Sequence, residues 1–281
     1  MQEGIRATPQ GTLVDRALRF LDGQSADSVT LARDVLGIGR ATRAIADRVT
    51  VALLGSDPRV RRLRDGRWAL AATPAQGASL AFCTFAVVDV ETTGSRAGHG
   101  DRVTEIAVVT LADGRCDVVL DTLVNPERPI PRVVSAITRI TNDMVCDKPT
   151  FADIADEVTD ALAGRVFVAH NARFDWAFLS RELRRTRYLA LEGPRLCTVH
   201  MARRLIPGLR SRGLDSVASY FGVEITNRHR AGGDAMATAK ILNHLLDLAA
   251  EQGATTLEDV RELSRRRRRR KTALPTSVKE I

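Results

Sequence analysis

Hydrophobic and polar positions change their spacing along this chain of 281 residues, and each change predicts a different kind of element. In the first quarter, apolar residues recur at helical spacing, which predicts amphipathic helices at residues 12–21, 29–36 and 41–54. Two short strand-like runs follow, at residues 59–63 and 67–71. They are joined around Asp65-Gly66, a dipeptide typical of a tight hairpin turn.

Three helices followed by a hairpin resemble a winged helix in the order of their elements, so residues 1–72 are predicted to form a small winged-helix-like α+β domain. Its arginines are candidates for contacts with nucleic-acid phosphates. The side chains in question are Arg40, Arg43, Arg61, Arg62 and Arg64. A solvated basic face on a domain that docks to protein explains the same residues, and the sequence leaves both explanations open.

Residues 73–82 contain Pro74 and Gly77 and are predicted to be a linker. From Gln76 to Phe82 they loosely resemble the glutamine-plus-hydrophobic peptides that dock on the sliding clamp of replication. The favoured alternative is that Leu80 and Phe82 pack at the entrance to the first strand of the next domain.

From residue 83 onwards, strand-like runs come first and then alternate with helical patterns. Strands are expected at residues 84–90, 103–111, 116–124 and 165–169. Helices are expected at residues 132–137, 151–163, 173–187, 197–205, 213–221 and 233–251. This order predicts an α/β domain with a mixed sheet flanked by helices.

Charge and composition narrow the class of protein. The chain carries a net charge of +8, yet residues 73–264 are slightly acidic, and a run of six arginines and a lysine stands at residues 265–271. Residues 253–281 are therefore predicted to be a basic, disordered tail, which either follows phosphates or docks to protein. No apolar stretch is long enough to span a membrane and no signal peptide is recognised. Four cysteines without a Cys-x-x-Cys pair favour reduced thiols and a cytoplasmic location.

Three short polar islands carry the candidate chemistry. Asp89 and Glu91 end an apolar run, and their spacing places both carboxylates on one face of a strand. The second island runs from His170 to Asp175, and the third from His229 to Asp234. Paired acids at a strand end are costly to bury unless a cation neutralises them, and hard divalent ions prefer such oxygen ligands.

Taken together, the Asp-x-Glu-Thr-Thr-Gly, His-Asn-x-x-Phe-Asp and His-x-x-x-x-Asp islands resemble the DEDDh exonuclease family, above all its proofreading members in bacterial replicative polymerases. Residues 101–107, 125–126, 140–144 and 214–217 match its connecting regions. The resemblance implies a ribonuclease H-like fold over residues 83–252. One departure is Arg139, where the family usually has glycine.

The resemblance also implies a role for each site residue. It makes Asp89, Glu91, Asp175 and Asp234 the ligands of two Mg²⁺ or Mn²⁺ ions and His229 the general base. It places Thr92 and Thr93 near the terminal nucleotide of the substrate. Phe174 either stacks on the substrate or packs in the core, and core packing is favoured.

The expected function is a metal-dependent 3′–5′ exonuclease that hydrolyses DNA to nucleoside 5′-monophosphates in proofreading or repair. Its expected partner is nucleic acid with a 3′ end, DNA in preference to RNA, with a polymerase or sliding clamp as a further partner. Two rival hypotheses remain. One is a 3′–5′ exoribonuclease of the RNase T or oligoribonuclease type, and the other is a non-catalytic nucleic-acid-binding adaptor.

Overall fold

The computed structural model describes residues 4–9, 12–21, 24–55, 57, 59–63, 65–70 and 79–265. Its first elements are β1 (Arg6–Pro9), α1 (Leu13–Phe20), α2 (Ser28–Asp34), α3 (Arg43–Leu54), β2 (Val60–Arg62) and β3 (Trp68–Leu70). The next are β4 (Phe85–Thr92), β5 (Val103–Ala112), β6 (Arg115–Leu123), α4 (Arg132–Thr138), α5 (Asn142–Val145), α6 (Phe151–Leu162) and β7 (Val166–Ala169). The last are α7 (Ala172–Arg187), β8 (Leu189–Glu192), β9 (Arg195–Cys197), α8 (Thr198–Leu205), α9 (Leu214–Phe221), α10 (Ala231–Glu251) and α11 (Leu257–Arg265).

A five-stranded sheet in the order β6-β5-β4-β7-β9 forms the centre of the larger domain. The β4–β5 and β5–β6 pairs are antiparallel, joined by the loop of residues 93–102 and by a two-residue turn, and the β4–β7 and β7–β9 pairs are parallel across helical connections. Asp113 and Gly114 both have positive φ, 50° and 74°, and make the predicted turn between β5 and β6. The predicted mixed sheet is confirmed.

Helices cover both faces of this sheet. Side chains alternate along β4, so successive residues pack against the helices of opposite faces. Phe85 and Val87 face one apolar cluster, to which α8, α9, α10 and α11 contribute. Ala86, Val88 and Val90 face the other, to which α6 and α7 contribute. Burial on both faces explains why β4 and β5 are almost continuously apolar in sequence.

Helices α1–α3 and the β2–β3 hairpin form a small module with its own core, which includes Leu21, Leu31, Leu54 and Trp68. The indole N–H of Trp68 donates to Ser28 Oγ at 3.1 Å, and its backbone pairs with Ala26. The order of elements agrees with the sequence pattern. Whether the module functions as a winged helix stays a prediction.

The predicted domain start at residue 1 is wrong. Strand β1 pairs with β8, at the end of α7, and Ile5 is buried in the larger domain, where its N–H donates to the carbonyl of Arg165 at 2.7 Å. Residues 4–9 therefore belong to the larger domain. A strand of four residues shows too little periodicity to be recognised, and its partner lies about 180 positions away.

The predicted disordered tail starts too early. Ala254, Leu257 and Val260 are buried against α8 and α10, so the part of the tail up to α11 is folded on the core. The high charge of the region hid three apolar positions with helical spacing, Leu257, Val260 and Leu263. Residues 266–281, with most of the arginine run, lie outside the described residues.

The predicted linker is described only from residue 79. The Leu80 N–H donates to the carbonyl of Thr255 at 3.0 Å, and Leu80 packs against the core as expected, whereas Phe82 is 78% exposed. The clamp-like residues 76–78 lie outside the described residues. Within the described part of the chain, no helix has both the length and the apolar character needed to cross a membrane.

Candidate active site

The carboxyl end of β4 presents the first two acids. Asp89 and Glu91 are two residues apart on the face that meets α10, and a register shift follows between Glu91 and Thr92. Across the β4–β5 pair they lie opposite Ala107 and Glu105. The period of the strand therefore brings both carboxylates to one edge of the sheet, as predicted.

The first turn of α10 supplies Asp234, and a buried ion pair anchors this turn. Glu105 accepts hydrogen bonds from the guanidinium of Arg230 and, at 2.8 Å, from the backbone N–H of Ala231 at the start of the helix. A Cβ on Gly233 would collide with the carbonyl oxygen of Thr226, so this turn requires glycine. These contacts fix α10 against the end of β4.

Asp175 comes from the other side of the sheet, at the start of α7. Asn171 begins that helix with φ of 79°, a left-handed conformation that asparagine tolerates. Asp175 is buried, and its Oδ1 accepts the backbone N–H of Val90 at 3.3 Å. This hydrogen bond places the third acid between Asp89 and Glu91 along the strand.

The structure brings three of the five predicted residues within ligand distance of one another, and Asp89 and Asp175 lie close enough for their charges to act on this group. Ligand atoms of Glu91, His229 and Asp234 all lie within 4.8 Å of one another. Burial, followed by the charges of Asp175, Glu91 and Asp234, raises the pKa of Asp89 well above its ordinary value. The four acids therefore form one electrostatic cluster, with His229 at its side.

The remaining acids show the same imbalance of charge. Burial, with the charges of Asp234 and Glu105, raises the pKa of Glu91 to about 7, and burial raises the pKa of Asp175 to about 8. Burial also raises the pKa of Asp234, although Arg228 opposes this effect. A cluster of this kind is stable with all its carboxylates ionised only when cations neutralise it.

Arg228 is a site residue that the sequence analysis did not identify. Its Nη1 donates to Asp234 Oδ2 and lies 3.3 Å from His229 Nδ1, and its Nε donates to Asp215 Oδ1 at 2.9 Å. Its position next to His229 in sequence was the only signal that pointed to it. One guanidinium cannot balance four carboxylates.

The donor set fits a divalent cation. Asp234 Oδ1 is buried and has no hydrogen-bond partner among the residues that the structure describes. Carboxylate oxygens gathered at the end of a strand, such as those of Glu91 and Asp234, are ligands that Mg²⁺ and Mn²⁺ prefer. The unpaired oxygen and the raised pKa values of the acids both fit a site that holds a cation.

Arg139, the departure from the family pattern, is linked to the same loop. It ends α4 with φ of 62°, in the left-handed region that favours glycine. Its Nη2 donates to the backbone carbonyl of Arg228 at 2.6 Å. The strained arginine therefore holds the loop that carries His229, a contact that glycine could not make.

His170 has a structural role. Its Nε2 lies 2.9 Å from the carbonyl of Arg212, which can only accept, so Nε2 carries the proton and Nδ1 accepts from Thr198 Oγ1 at 2.9 Å. Burial lowers the pKa of His170 to about 4, which keeps the ring neutral. This residue connects the end of β7 to the start of α8 and to the loop before α9.

The predicted substrate contacts Thr92 and Thr93 are buried, and each of their hydroxyl groups forms a hydrogen bond within the protein. Thr92 Oγ1 donates to the carbonyl of Gly94 at 2.6 Å, and Thr93 Oγ1 accepts the N–H of Arg102 at 3.0 Å. Both bonds shape the loop after β4, and each hydroxyl keeps capacity for a further hydrogen bond, so substrate contact by these threonines stays a prediction. Phe174 packs on Phe178, with ring centroids 4.8 Å apart, and also lines a cleft of about 230 Å³ beside this loop.

The predicted phosphate contacts in the N-terminal module differ in their surroundings. Arg40, Arg43 and Arg61 are exposed and have no ion pair among the described residues. Arg62 pairs with Asp47 at 3.3 Å and lies over the ring of Trp68, so its charge is already used within the module. Arg64 lies outside the described residues. Nucleic-acid contact by this module stays a prediction.

Removing divalent cations should make the stability of the protein fall as pH rises from about 4 to about 8. A carboxyl group whose pKa is raised by folding ionises first in the unfolded chain, so the unfolded state gains free energy of ionisation across this window. Saturating Mn²⁺ should cancel most of the loss, because it neutralises the ionised cluster. The melting temperature, measured with chelator or with Mn²⁺ at several pH values, checks this.

The double variant Asp89→Asn/Glu91→Gln is the comparison for this measurement, since other titrating groups contribute equally to both proteins. In chelator, its melting temperature should depend less on pH than that of the wild type. Equal slopes for the two proteins would show that the acidic cluster is not the source.

Comparison with known proteins agrees with this geometry. The exonuclease family model (RNase_T) matches residues 86–242. The 3′-5′ exonuclease DinG of Bacillus subtilis is 33% identical over 180 residues, 64% of this chain and 19% of that protein. A DNA polymerase III subunit epsilon-like protein of Rhodobacter capsulatus is 38% identical over 200 residues, 69% of this chain and 27% of that protein. The chain thus spans less than a third of the length of these relatives.

Among solved structures, exonuclease X in complex with 5′ overhanging duplex DNA is 31% identical, with a TM-score of 0.51. The match covers 64% of this chain and 99% of that chain. A full-length 3′-exonuclease, 14% identical, matches 90% of this chain and 86% of its own length with a TM-score of 0.52, which shows a shared fold. Members of the family generally use divalent metal ions, in agreement with the donor set. This chain belongs to the exonuclease family and has its ribonuclease H-like fold.

Proposed function

We propose that this protein is a 3′–5′ exonuclease that hydrolyses DNA phosphodiester bonds and releases nucleoside 5′-monophosphates, with two Mg²⁺ or Mn²⁺ ions as cofactors. One observation carries the proposal: Glu91 from the first polar island, and His229 and Asp234 from the third, present ligand atoms within 4.8 Å of one another. Residues this far apart in sequence converge where a shared chemistry requires them.

The residues of the chain divide the work of phosphodiester hydrolysis. Asp89, Glu91, Asp175 and Asp234 would hold the cations, and the backbone N–H of His229 keeps Asp234 Oδ2 in place at 3.3 Å. Bound divalent cations would make an attacking water more acidic and stabilise charge on the leaving 3′ oxygen. His229 accepts the proton of that water through a ring nitrogen, a role that suits imidazole near neutral pH.

DNA is favoured over RNA by the similar proteins. The relatives include proteins named for DNA polymerase III, and exonuclease X was solved with duplex DNA. The same five residues would serve an exoribonuclease equally well, so that function is the second candidate. A non-catalytic adaptor is disfavoured, because a scaffold gains nothing from burying four mutually repelling acids.

The proposed partners and location have separate support. A polymerase partner is supported by the names of the relatives, and a sliding clamp by residues 76–82 of the sequence. A cytoplasmic location is supported by Cys83, Cys116, Cys146 and Cys197, which form no disulfide bond with one another.

An end-labelled oligonucleotide assay tests the function and separates its rivals. Single-stranded DNA and RNA of equal length and sequence are labelled at the 5′ end and incubated with the protein, in Mn²⁺ or in chelator. The proposal expects a ladder of shortened DNA with Mn²⁺ and none with chelator. A ladder from RNA alone would support the exoribonuclease, and no ladder from either would favour the adaptor.

Removing residues 265–281 should weaken binding to single-stranded DNA and flatten its dependence on salt, because seven positive charges at residues 265–271 are lost. Turnover of a saturating short substrate should not change, since the buried positions of α11 remain. Binding measured by fluorescence anisotropy at several salt concentrations checks this. If the truncated protein keeps the full salt dependence, the tail does not contact phosphates.

A further inference from the structure

A basic cleft lies along the outer edge of β9, between α7 on one face of the sheet and α8 and α11 on the other. It has a volume of about 500 Å³, and Arg173, Arg195, Arg203, Arg261 and His200 line it. Arg173 also lines the smaller cleft beside Phe174, and it stands two positions before Asp175 on α7. Helix α7 therefore contributes both to the basic cleft, through Arg173, and to the acidic cluster, through Asp175.

Most of the arginines that line this cleft have no acidic partner among the described residues. Arg173, Arg195 and Arg203 form no ion pair among the described residues, and of the lining arginines only Arg261 does, with Glu258 at 2.7 Å. Burial and the like charge of Arg261 lower the pKa of Arg195. Cations gathered without counter-charges cost free energy, which an anionic ligand recovers.

An aromatic contact holds Arg195 in the cleft. Its guanidinium lies over the ring of Trp176, 4.4 Å from the centroid, and Trp176 in turn packs edge-on against Phe167 at 5.1 Å. Stacking leaves the edge of the guanidinium, with its N–H donors, free to face an anion. The charge is thus positioned before any ligand arrives.

A second cleft continues the first toward the N-terminal module. It has a volume of about 310 Å³, shares Arg261 with the first, and is lined also by Arg6 and Arg59. Arg59 already pairs with Asp57, and Glu192 adds one acidic group, so this part is less basic. The two clefts, joined at Arg261, together form one track.

We propose that this track, defined by Arg173, Arg195, Arg203, Arg261 and Arg6, binds successive backbone phosphates of a polynucleotide strand whose 3′ end lies at the acidic cluster. The inference rests on the proposed function. The length of the track favours a polymer, since a mononucleotide fills one cleft and leaves the cations of the other cleft unneutralised. Contacts to phosphates carry no sequence information, so the track binds any base sequence.

The double variant Arg195→Gln/Arg203→Gln tests the track, with Arg115→Gln/Lys240→Gln as the control. The control removes the same charge from exposed positions at the β6 side, the opposite edge of the sheet. Binding is measured by fluorescence anisotropy to a 30-nucleotide oligo(dT) whose terminal linkage is a phosphorothioate, at several NaCl concentrations. Turnover is measured on the p-nitrophenyl ester of thymidine 5′-monophosphate, which reaches the acidic cluster alone.

The track variant should bind the oligonucleotide about ten-fold to a hundred-fold more weakly, and the slope of log affinity against log salt should fall by about 1.4, at about 0.7 for each lost phosphate contact. The control variant should lose much less affinity and much less of the salt slope than the track variant. The track variant and the control variant should both hydrolyse the ester at the wild-type rate. Arg195→Lys/Arg203→Lys should restore most of the slope, because it restores the charge.

Two results would overturn the inference. One is a loss of affinity no greater than that of the control, and the other is an equal loss on the ester, which would place the effect at the acidic cluster. Failure of the wild-type protein to hydrolyse the ester would instead contradict the proposed function. The binding measurement does not depend on hydrolysis, so the two failures are distinguishable.

Discussion

Replacing Asp89 by asparagine is expected to reduce nuclease turnover by at least about 1,000-fold, because a ligand charge worth several kcal/mol of transition-state stabilisation is lost. The charges of the three other acids, Asp175, Glu91 and Asp234, all raise the pKa of Asp89. Asparagine keeps the shape of the side chain and removes its charge. Single-turnover hydrolysis of end-labelled DNA in Mn²⁺ measures the effect.

The same substitution should stabilise the protein in chelator, because it removes one of four mutually repelling carboxylates. Lower activity together with a higher melting temperature is the expected signature of a metal ligand and would not arise from a damaged fold. Asp117→Asn, an exposed acid on β6, is the matched control and should alter neither quantity. Turnover of Asp89→Asn within ten-fold of the wild type would remove Asp89 from the site.

The positions of the acids were predictable because each depends on local geometry. The alternation of a strand places Asp89 and Glu91 on one face, and the first turn of a helix carries Asp234 and Asp175. Strands β4 to β7 were predictable for a similar reason, since their apolar runs are long and are bounded by turn residues such as Gly114. Local rules are sufficient wherever an element determines its own shape.

The features that were missed depend on contacts between distant residues. Strand β1 has four residues and acquires its meaning from pairing with β8, and β9 has three residues and becomes a strand only beside β7. The role of Arg228 depends on Asp215 and Asp234 approaching it in space. No period of the sequence records such contacts, because they arise when separate elements pack together.

Arg139 shows how a departure from a family pattern becomes informative once the fold is known. In sequence, it is an arginine where glycine is usual, and it affects only the expected shape of a turn. In the structure, it keeps the left-handed backbone and uses its side chain to hold the carbonyl of Arg228. The cost of the conformation, about 1 kcal/mol, is comparable with the value of one hydrogen bond to a charged group.

Replacing His229 by alanine is expected to lower turnover by about two to four orders of magnitude, the usual contribution of a general base, and to leave Mn²⁺ affinity nearly unchanged. The acids hold the cations in this account, and the contact from His229 to Asp234 Oδ2 is made by its backbone N–H, which alanine retains. Turnover under single-turnover conditions and calorimetric titration with Mn²⁺ measure the two effects separately.

The backbone conformation of His229 dictates the choice of a second variant. Its φ of 62° lies in the left-handed region, which asparagine adopts more readily than alanine, so His229→Asn preserves the loop without supplying a base. Both variants should be equally slow, and added imidazole should partly restore each, because free imidazole can accept the proton of the attacking water. A His229→Asn protein with full turnover would show that position 229 shapes the loop and does not move a proton, and the base would then have to be sought elsewhere in the cluster.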